Sequence, residues 1–205
     1  IGTEIKEEEL YRIVSETVNF SIPLVKLNER ISSLELFHGP TLAFKDVGAR
    51  FMSRCLAQFV KGADRKVTVL VATSGDTGGA VANGFLGVPG IHVYVLYPKG
   101  KVSPIQECQF TTLGQNITAL EIEGTFDDCQ ALVKTAFMDK ELNAHMQLTS
   151  ANSINVARFL PQAFYYFYAY AQLAKMGKAD NLVFCVPSGN FGNITAGLFA
   201  KKMGL

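Results

Sequence analysis

Three stretches of the chain combine reactive side chains with glycine. In His38-Gly39-Pro40-Thr41-Leu42-Ala43-Phe44-Lys45-Asp46, a lysine follows an apolar run and is hemmed by Leu42 and Phe44. Desolvation there lowers an amine from its ordinary pKa of about 10.4 and frees it as a nucleophile. The plain alternative is a surface lysine that opens a helix beside Asp46. In Thr73-Ser74-Gly75-Asp76-Thr77-Gly78-Gly79, hydroxyls and free N–H groups stand where a helix begins and can grip an anion. Equally, Ser74 or Asp76 can simply cap that helix. In Ser188-Gly189-Asn190-Phe191-Gly192-Asn193, two glycines permit positive φ and close backbone approach, the makings of an N–H nest for a phosphate. This last loop follows neither the P-loop pattern nor the dinucleotide fingerprint, so a nucleoside triphosphate or a dinucleotide is not its natural ligand.

The elements around these stretches predict where they sit. Apolar, β-branched runs at 67–72, 91–96, 117–122 and 182–186 read as strands. Helical patterns follow them at 80–86, 104–113, 127–140 and 194–203. Strand and helix alternating at this spacing imply right-handed crossovers and parallel sheets covered on both faces: an α/β protein with three layers, αβα. The carboxyl ends of parallel strands face the ligand crevice, and the 73–79 and 188–193 loops fall there. A further helix is expected over 154–176, with an aromatic run (Phe164, Tyr165, Tyr166, Phe167, Tyr168, Tyr170) that surrounds it rather than forming one stripe. Packing between layers explains such a run more simply than cofactor stacking. Near the start, a helix over 4–18 and edge strands at 23–27 and 34–37 are expected. The order predicts a smaller α/β domain over 67–150. A larger domain is begun by 1–66 and resumed by 151–205.

Composition excludes other chemistries. Among 205 residues, 19 Lys+Arg against 18 Asp+Glu give a formal net charge of +1, which argues against an electrostatic nucleic-acid binder. Hydrophobic residues at 48% and charged residues at 18% describe a chain with a real core. No apolar stretch reaches the roughly 20 residues that span a bilayer, and the acidic opening residues do not resemble a signal peptide. Cys55, Cys108, Cys129 and Cys185 are scattered, as are His38, His92 and His145. Neither set has the close spacing of a metal site or a disulfide framework, so reduced thiols and a cytoplasmic setting are expected. The absent initiator Met and the closing strand–helix unit suggest a piece of something longer.

One amine nucleophile and two anion cradles suit pyridoxal phosphate: the amine takes the aldehyde as a Schiff base, and a glycine-rich loop holds the phosphate. The motifs are also specific. The 36–46 segment, the 72–78 loop, Asn152-Ser153-Ile154-Asn155 with Arg158, and the 187–192 loop resemble the threonine synthase family in type, order and spacing from about Leu34 onward. The resemblance is to its longer bacterial and fungal branch. It implies the tryptophan synthase β-like fold and conversion of O-phospho-L-homoserine and water to L-threonine and phosphate. By position, Lys45 matches the lysine that binds the cofactor. Gly189, Asn190, Phe191, Gly192 and Asn193 match the loop around the cofactor phosphate, and Asp76 stands near the pyridine 3-oxygen. Thr73, Ser74, Asn152 and Arg158 match contacts to the substrate carboxylate. Thr77 and Ser153, with Asn190 nearby, match contacts to the leaving phosphate. The family's partner for the pyridine nitrogen lies beyond the end of this sequence, so weak cofactor binding and little turnover are expected of these 205 residues alone. A serine/threonine dehydratase of the same fold needs no second phosphate site, whereas a related phospho-lyase would use the same contacts. A folded domain without catalysis would use the glycine loops only as turns.

Overall fold

The computed structural model describes residues 4–153 and 155–205. Its centre is a parallel sheet of four strands: β3 (Val67–Ala72), β4 (Ile91–Pro98), β5 (Ile117–Ile122) and β6 (Gln147–Ser150). Two short strands near the start, β1 (Leu24–Lys26) and β2 (Ser32–Leu34), pair antiparallel outside that sheet. The spatial order is β5-β4-β3-β6, with Val69 beside Val93 and Thr149, and Val95 beside Ala119. Every residue of β3 is buried. Alternation of side chains sends Val67, Val69 and Val71 to one core and Leu70 and Ala72 to another.

Helices close both faces, giving the three expected layers. The first core is filled by Ala49 and Met52 of α2 (Lys45–Phe59), Ala80, Val81 and Phe85 of α3 (Asp76–Phe85), and Phe110 of α4 (Pro104–Thr111). The opposite core receives Cys129 and Val133 from α5 (Phe126–Met138). Helix α1 (Glu7–Thr17) packs Ile13 with Cys55 of α2. Thr125 and Asp128 form a capping box that starts α5, and Ser103 with Pro104 starts α4.

Several sequence expectations need revision. The short helix α6 (Lys140–His145) and strand β6 carry too few apolar residues to signal themselves, yet β6 completes the sheet beside β3. The second edge strand forms at Ser32–Leu34 rather than 34–37, because Asn28 accepts from the N–H groups of Arg30 and Ile31 and tightens the turn. Position 154, the expected start of the long helix, lies outside the described residues. The remainder is not one helix but α7 (Val156–Phe159), a 3-10 turn (Leu160–Gln162) and α8 (Ala163–Lys175). Pro161 has no N–H to continue an α-helical ladder, and the chain tightens there instead. Tyr165 and Tyr166 are buried in the layer, whereas Tyr168 and Tyr170 are exposed. The 182–186 run forms no strand: it has no neighbouring ladder among the described residues, and Val183 is 83% exposed. It leads directly to α9 (Gly192–Lys202).

Candidate functional site

Lys45 occupies the first turn of α2, and the loop before it is tied down on every side. The loop turns through Leu42 at φ 59°, a left-handed conformation that costs an L-residue about 1–2 kcal/mol. Asp46 offsets this by accepting from the Thr41 N–H at 3.0 Å and the Thr41 hydroxyl at 2.5 Å. Burial pushes the Asp46 carboxyl upward, and the Thr41 bonds and nearby Arg50 pull it back. Gln109 of α4 donates to the Thr41 carbonyl at 3.2 Å, and Tyr165 of α8 donates to the Phe44 carbonyl at 2.7 Å. The Lys45 amine donates to the Thr77 hydroxyl at 2.9 Å and lies 5.7 Å from the centre of the Phe44 ring. Burial is the main reason its pKa is lowered; Asp76 opposes the shift and Arg158 adds to it. Of the two readings of Lys45, the structure places it at a helix start and in a desolvated setting together.

The 73–79 loop is built around Thr73, whose hydroxyl accepts from the N–H groups of Gly75 (3.0 Å) and Gly78 (2.8 Å). Gly75 sits at φ +146°, and a Cβ on it would strike the Gln106 amide that donates to Asp76. Ser74 and Asp76 are exposed, whereas Thr77 turns inward. Asn152 bridges the end of β3, accepting from the Ala72 N–H at 3.2 Å and donating to its carbonyl at 2.8 Å. The side chains of Thr73 and Asn152 thus hold backbone, and what each offers a ligand is the loop it shapes.

Arg158 is 3% exposed and has no carboxylate within ion-pair distance among the described residues. Its guanidinium donates to the carbonyls of Ala151 (2.8 Å) and Lys45 (3.3 Å), and burial pulls its pKa down to about 10. Gly48, one turn along α2 from Lys45, leaves the space that the Arg158 carbonyl occupies. The 188–193 loop is held mainly by Asn193. Its side chain accepts from the Ser188 hydroxyl at 2.7 Å, and its carbonyl accepts from the Tyr166 hydroxyl at 2.7 Å.

Together these elements bring Lys45, Thr77, Ser153, Arg158, Asn190, Gly192 and Asn193 to one cleft, with Phe44 and Gln162 completing its walls. Thr73, Ser74, Asp76, Asn152, Gly189 and Phe191 stand outside the lining; Phe191 is largely exposed, and a Cβ on Gly189 would meet nothing. The sequence reading missed Gln162. Its signal is the spacing of four residues from Arg158, which places both on one side of a helical turn.

The cleft encloses only about 30 Å³. A larger cavity of about 310 Å³ lies against α5, walled by Leu70, Leu96, Leu120, Leu132 and Met146. It presents no amine, carboxylate or guanidinium. The small cleft has all the chemistry: a desolvated amine, an unpaired buried guanidinium and a glycine loop free of obstructing side chains. Those groups fit an aldehyde that also carries a phosphate. Among the described residues, no helix is long and apolar enough to cross a membrane.

Comparison with known proteins agrees with this donor set. Residues 23–204 match the model of the pyridoxal-phosphate dependent enzyme family. The chain is similar to threonine synthase of Haemophilus influenzae, 57% identical over 205 residues, which are all of this chain and 48% of that protein. It is also similar to the crystal structure of threonine synthase from Escherichia coli: TM-score 0.88, 53% identity, all of this chain and 47% of that one. A pyridoxal-phosphate-bound threonine synthase from Brucella melitensis superposes with TM-score 0.88 at 44% identity, covering 99% of this chain and 45% of that one. The chain therefore spans about half the length of these relatives. With its matched span and its lysine-centred cleft, it belongs to the pyridoxal-phosphate dependent enzyme family.

Proposed function

We propose that this chain is the lysine-bearing part of a threonine synthase, which converts O-phospho-L-homoserine and water to L-threonine and phosphate. The observation that carries the reading is the pairing of a desolvated Lys45 amine with the unpaired, buried Arg158 guanidinium in one cleft. The relatives' names support the choice of reaction. In this reading 67–150 form the smaller domain, and 1–66 with 151–205 belong to the larger. The scattered spacing of the four cysteines favours a reducing, cytoplasmic setting for the protein.

Lys45 and the Gly189, Asn190, Phe191, Gly192 and Asn193 loop would hold pyridoxal phosphate, which when bound would supply an electron sink for the carbon bearing the substrate nitrogen. Asp76, whose charge acts on the Lys45 amine, would serve the 3-oxygen side of the cofactor ring. Lys45, whose lowered pKa favours the free amine, takes a proton from substrate Cα and returns protons along the chain. Arg158 orients the substrate through its carboxylate with a two-pronged bond. Thr73 and Asn152 fix the backbone of that carboxylate's pocket, and Ser74 of the same loop would contact the carboxylate. Thr77, Ser153 and Asn190 steady the departing phosphate, where negative charge builds in the transition state. The Lys45–Thr77 hydrogen bond supports this reading, since it would hold the proton carrier beside the leaving group.

A chimera tests the reading: residues 1–205 joined to the remaining portion of the Escherichia coli relative, in a threonine-requiring strain. Growth without threonine is expected, and Lys45→Ala should abolish it. A chimera that folds and takes up cofactor yet releases no phosphate from O-phospho-L-homoserine would refute the proposed reaction.

A further inference from the structure

Two glutamines of α4 reach the two loops that flank the Lys45 amine. Gln109 donates to the Thr41 carbonyl, in the loop that carries Lys45, at 3.2 Å. Gln106 donates to the Asp76 carboxylate, in the loop that leads to Thr77. Three residues apart on a helix, the two side chains share one face, so a single rigid element holds both loops at once. The Gln106 amide is itself oriented. The Ser103 hydroxyl at the helix N-cap donates to its Oε1 at 2.9 Å, which turns Nε2 toward Asp76.

Both contacts use space left by a glycine. A Cβ on Gly75 would fall 2.5 Å from the Gln106 Oε1, and one on Gly79 would fall 2.3 Å from the Gln109 Oε1. Gly79 lies inside α3 with an ordinary helical backbone, where alanine is the better helix former. Room for Gln109, not backbone conformation, is what glycine supplies there. The two loops meet at the hydrogen bond from the Lys45 amine to the Thr77 hydroxyl, 2.9 Å long. We infer that Gln106 and Gln109 are positioning residues for the Lys45 amine: α4 is a brace that sets the Lys45 loop against the Asp76–Thr77 turn. Neither glutamine lines the cleft, so each acts through the residue it holds. The inference takes the importance of Lys45 from the proposed reading, in which α4 belongs to the smaller domain and Thr41 to the larger.

The test is competitive acetylation of the 205-residue chain with acetic anhydride across a pH series, read by peptide mapping. The exposed Lys134 and Lys178 serve as references. The measurement needs neither cofactor nor turnover, so a failure of the threonine synthase reading leaves its outcome untouched. Gln109→Met, similar in size but without the donor, should loosen the loop, let water reach the amine and so favour its protonated form. Asp76 and Arg158 are the charged groups that act on that amine. Near neutral pH, Lys45 labelling should fall roughly threefold, the scale of one neutral hydrogen bond, while the reference lysines hold steady. Gln106→Met should give a smaller fall, because a released Asp76 carboxylate turns toward the amine it attracts. In an Asp76→Asn background that smaller fall should vanish and the Gln109→Met fall persist. Unchanged Lys45 labelling in Gln109→Met, an equal change in the reference lysines, or a Gln106→Met effect that survives Asp76→Asn overturns the inference. If circular dichroism shows Gln109→Met unfolded, Gly79→Ala takes its place under the same criterion, since its methyl displaces the Gln109 amide while favouring α3.

Discussion

The two sides of the cleft are built differently. On the lysine side, the 38–46 loop is fastened by Asp46, Gln109 and Tyr165, and α2 behind it packs into a closed core through Ala49 and Met52. On the opposite side, residues 182–191 join no ladder and leave Val183 and Phe191 exposed. Polar contacts centred on Asn193 hold the loop, one of them from Tyr166. The lysine side is preorganised by its own fold; the glycine-loop side is positioned by a few side chains. The Lys45 amine is thus set in place by the fold, while the glycine loop rests on few contacts and stays cheap to move.

Substitutions can break or sharpen this contrast. Phe85 is fully buried between α3 and the sheet. Phe85→Ala should remove about 3–5 kcal/mol from global unfolding, read by urea denaturation, because the core cannot collapse around so large a loss. Asp46→Ala leaves the Thr41 N–H and hydroxyl without their acceptor. It should cost about 1–3 kcal/mol and increase hydrogen exchange in the 39–46 loop. Tyr166→Phe deletes the bond to the Asn193 carbonyl and should cost only about 0.5–1.5 kcal/mol. Its effect on exchange should be confined to 188–195. A Tyr166→Phe variant that loosens the lysine loop equally would show the two sides to be one unit.

What the sequence discloses follows the same division. Strand 67–72 is legible because burial on both faces demands continuous apolar, β-branched residues, and 91–96 and 117–122 carry the same local pattern with partial burial. The 182–186 run carries the same composition, yet a strand also needs a neighbour, and propensity does not encode one. Strand β6 fails in the opposite sense: Gln147-Leu148-Thr149-Ser150 looks unremarkable but finds β3. Lys45 is legible through Phe44, since an apolar neighbour before a lysine foretells desolvation. Thr73 and Asn152 have the residue types of ligand contacts, but only the structure reveals that their side chains are committed to Gly75, Gly78 and Ala72. Gln162 eluded reading because a polar residue in an aromatic helix suggests a surface position until Pro161 turns it inward.

The fold lowers the pKa of the Lys45 amine and sets it in a cleft lined by the Arg158 guanidinium, hydroxyls and side-chain amides. Burial lowers that pKa, so the unfolded chain binds the Lys45 proton more tightly than the folded one. This contribution makes stability rise with pH between the lowered value and about 10.4, and the free-base fraction at any pH exceeds that of an ordinary lysine. The direct measurement is reductive trapping with pyridoxal phosphate and borohydride across a pH series, followed by peptide mapping. Labelling should concentrate on Lys45 with a midpoint below the ordinary lysine range. Arg158→Met should raise that midpoint by removing a repelling cation, and Asp76→Asn should lower it by removing an attracting anion. Label spread over other lysines, or a Lys45 midpoint at or above about 10.4, would contradict the account.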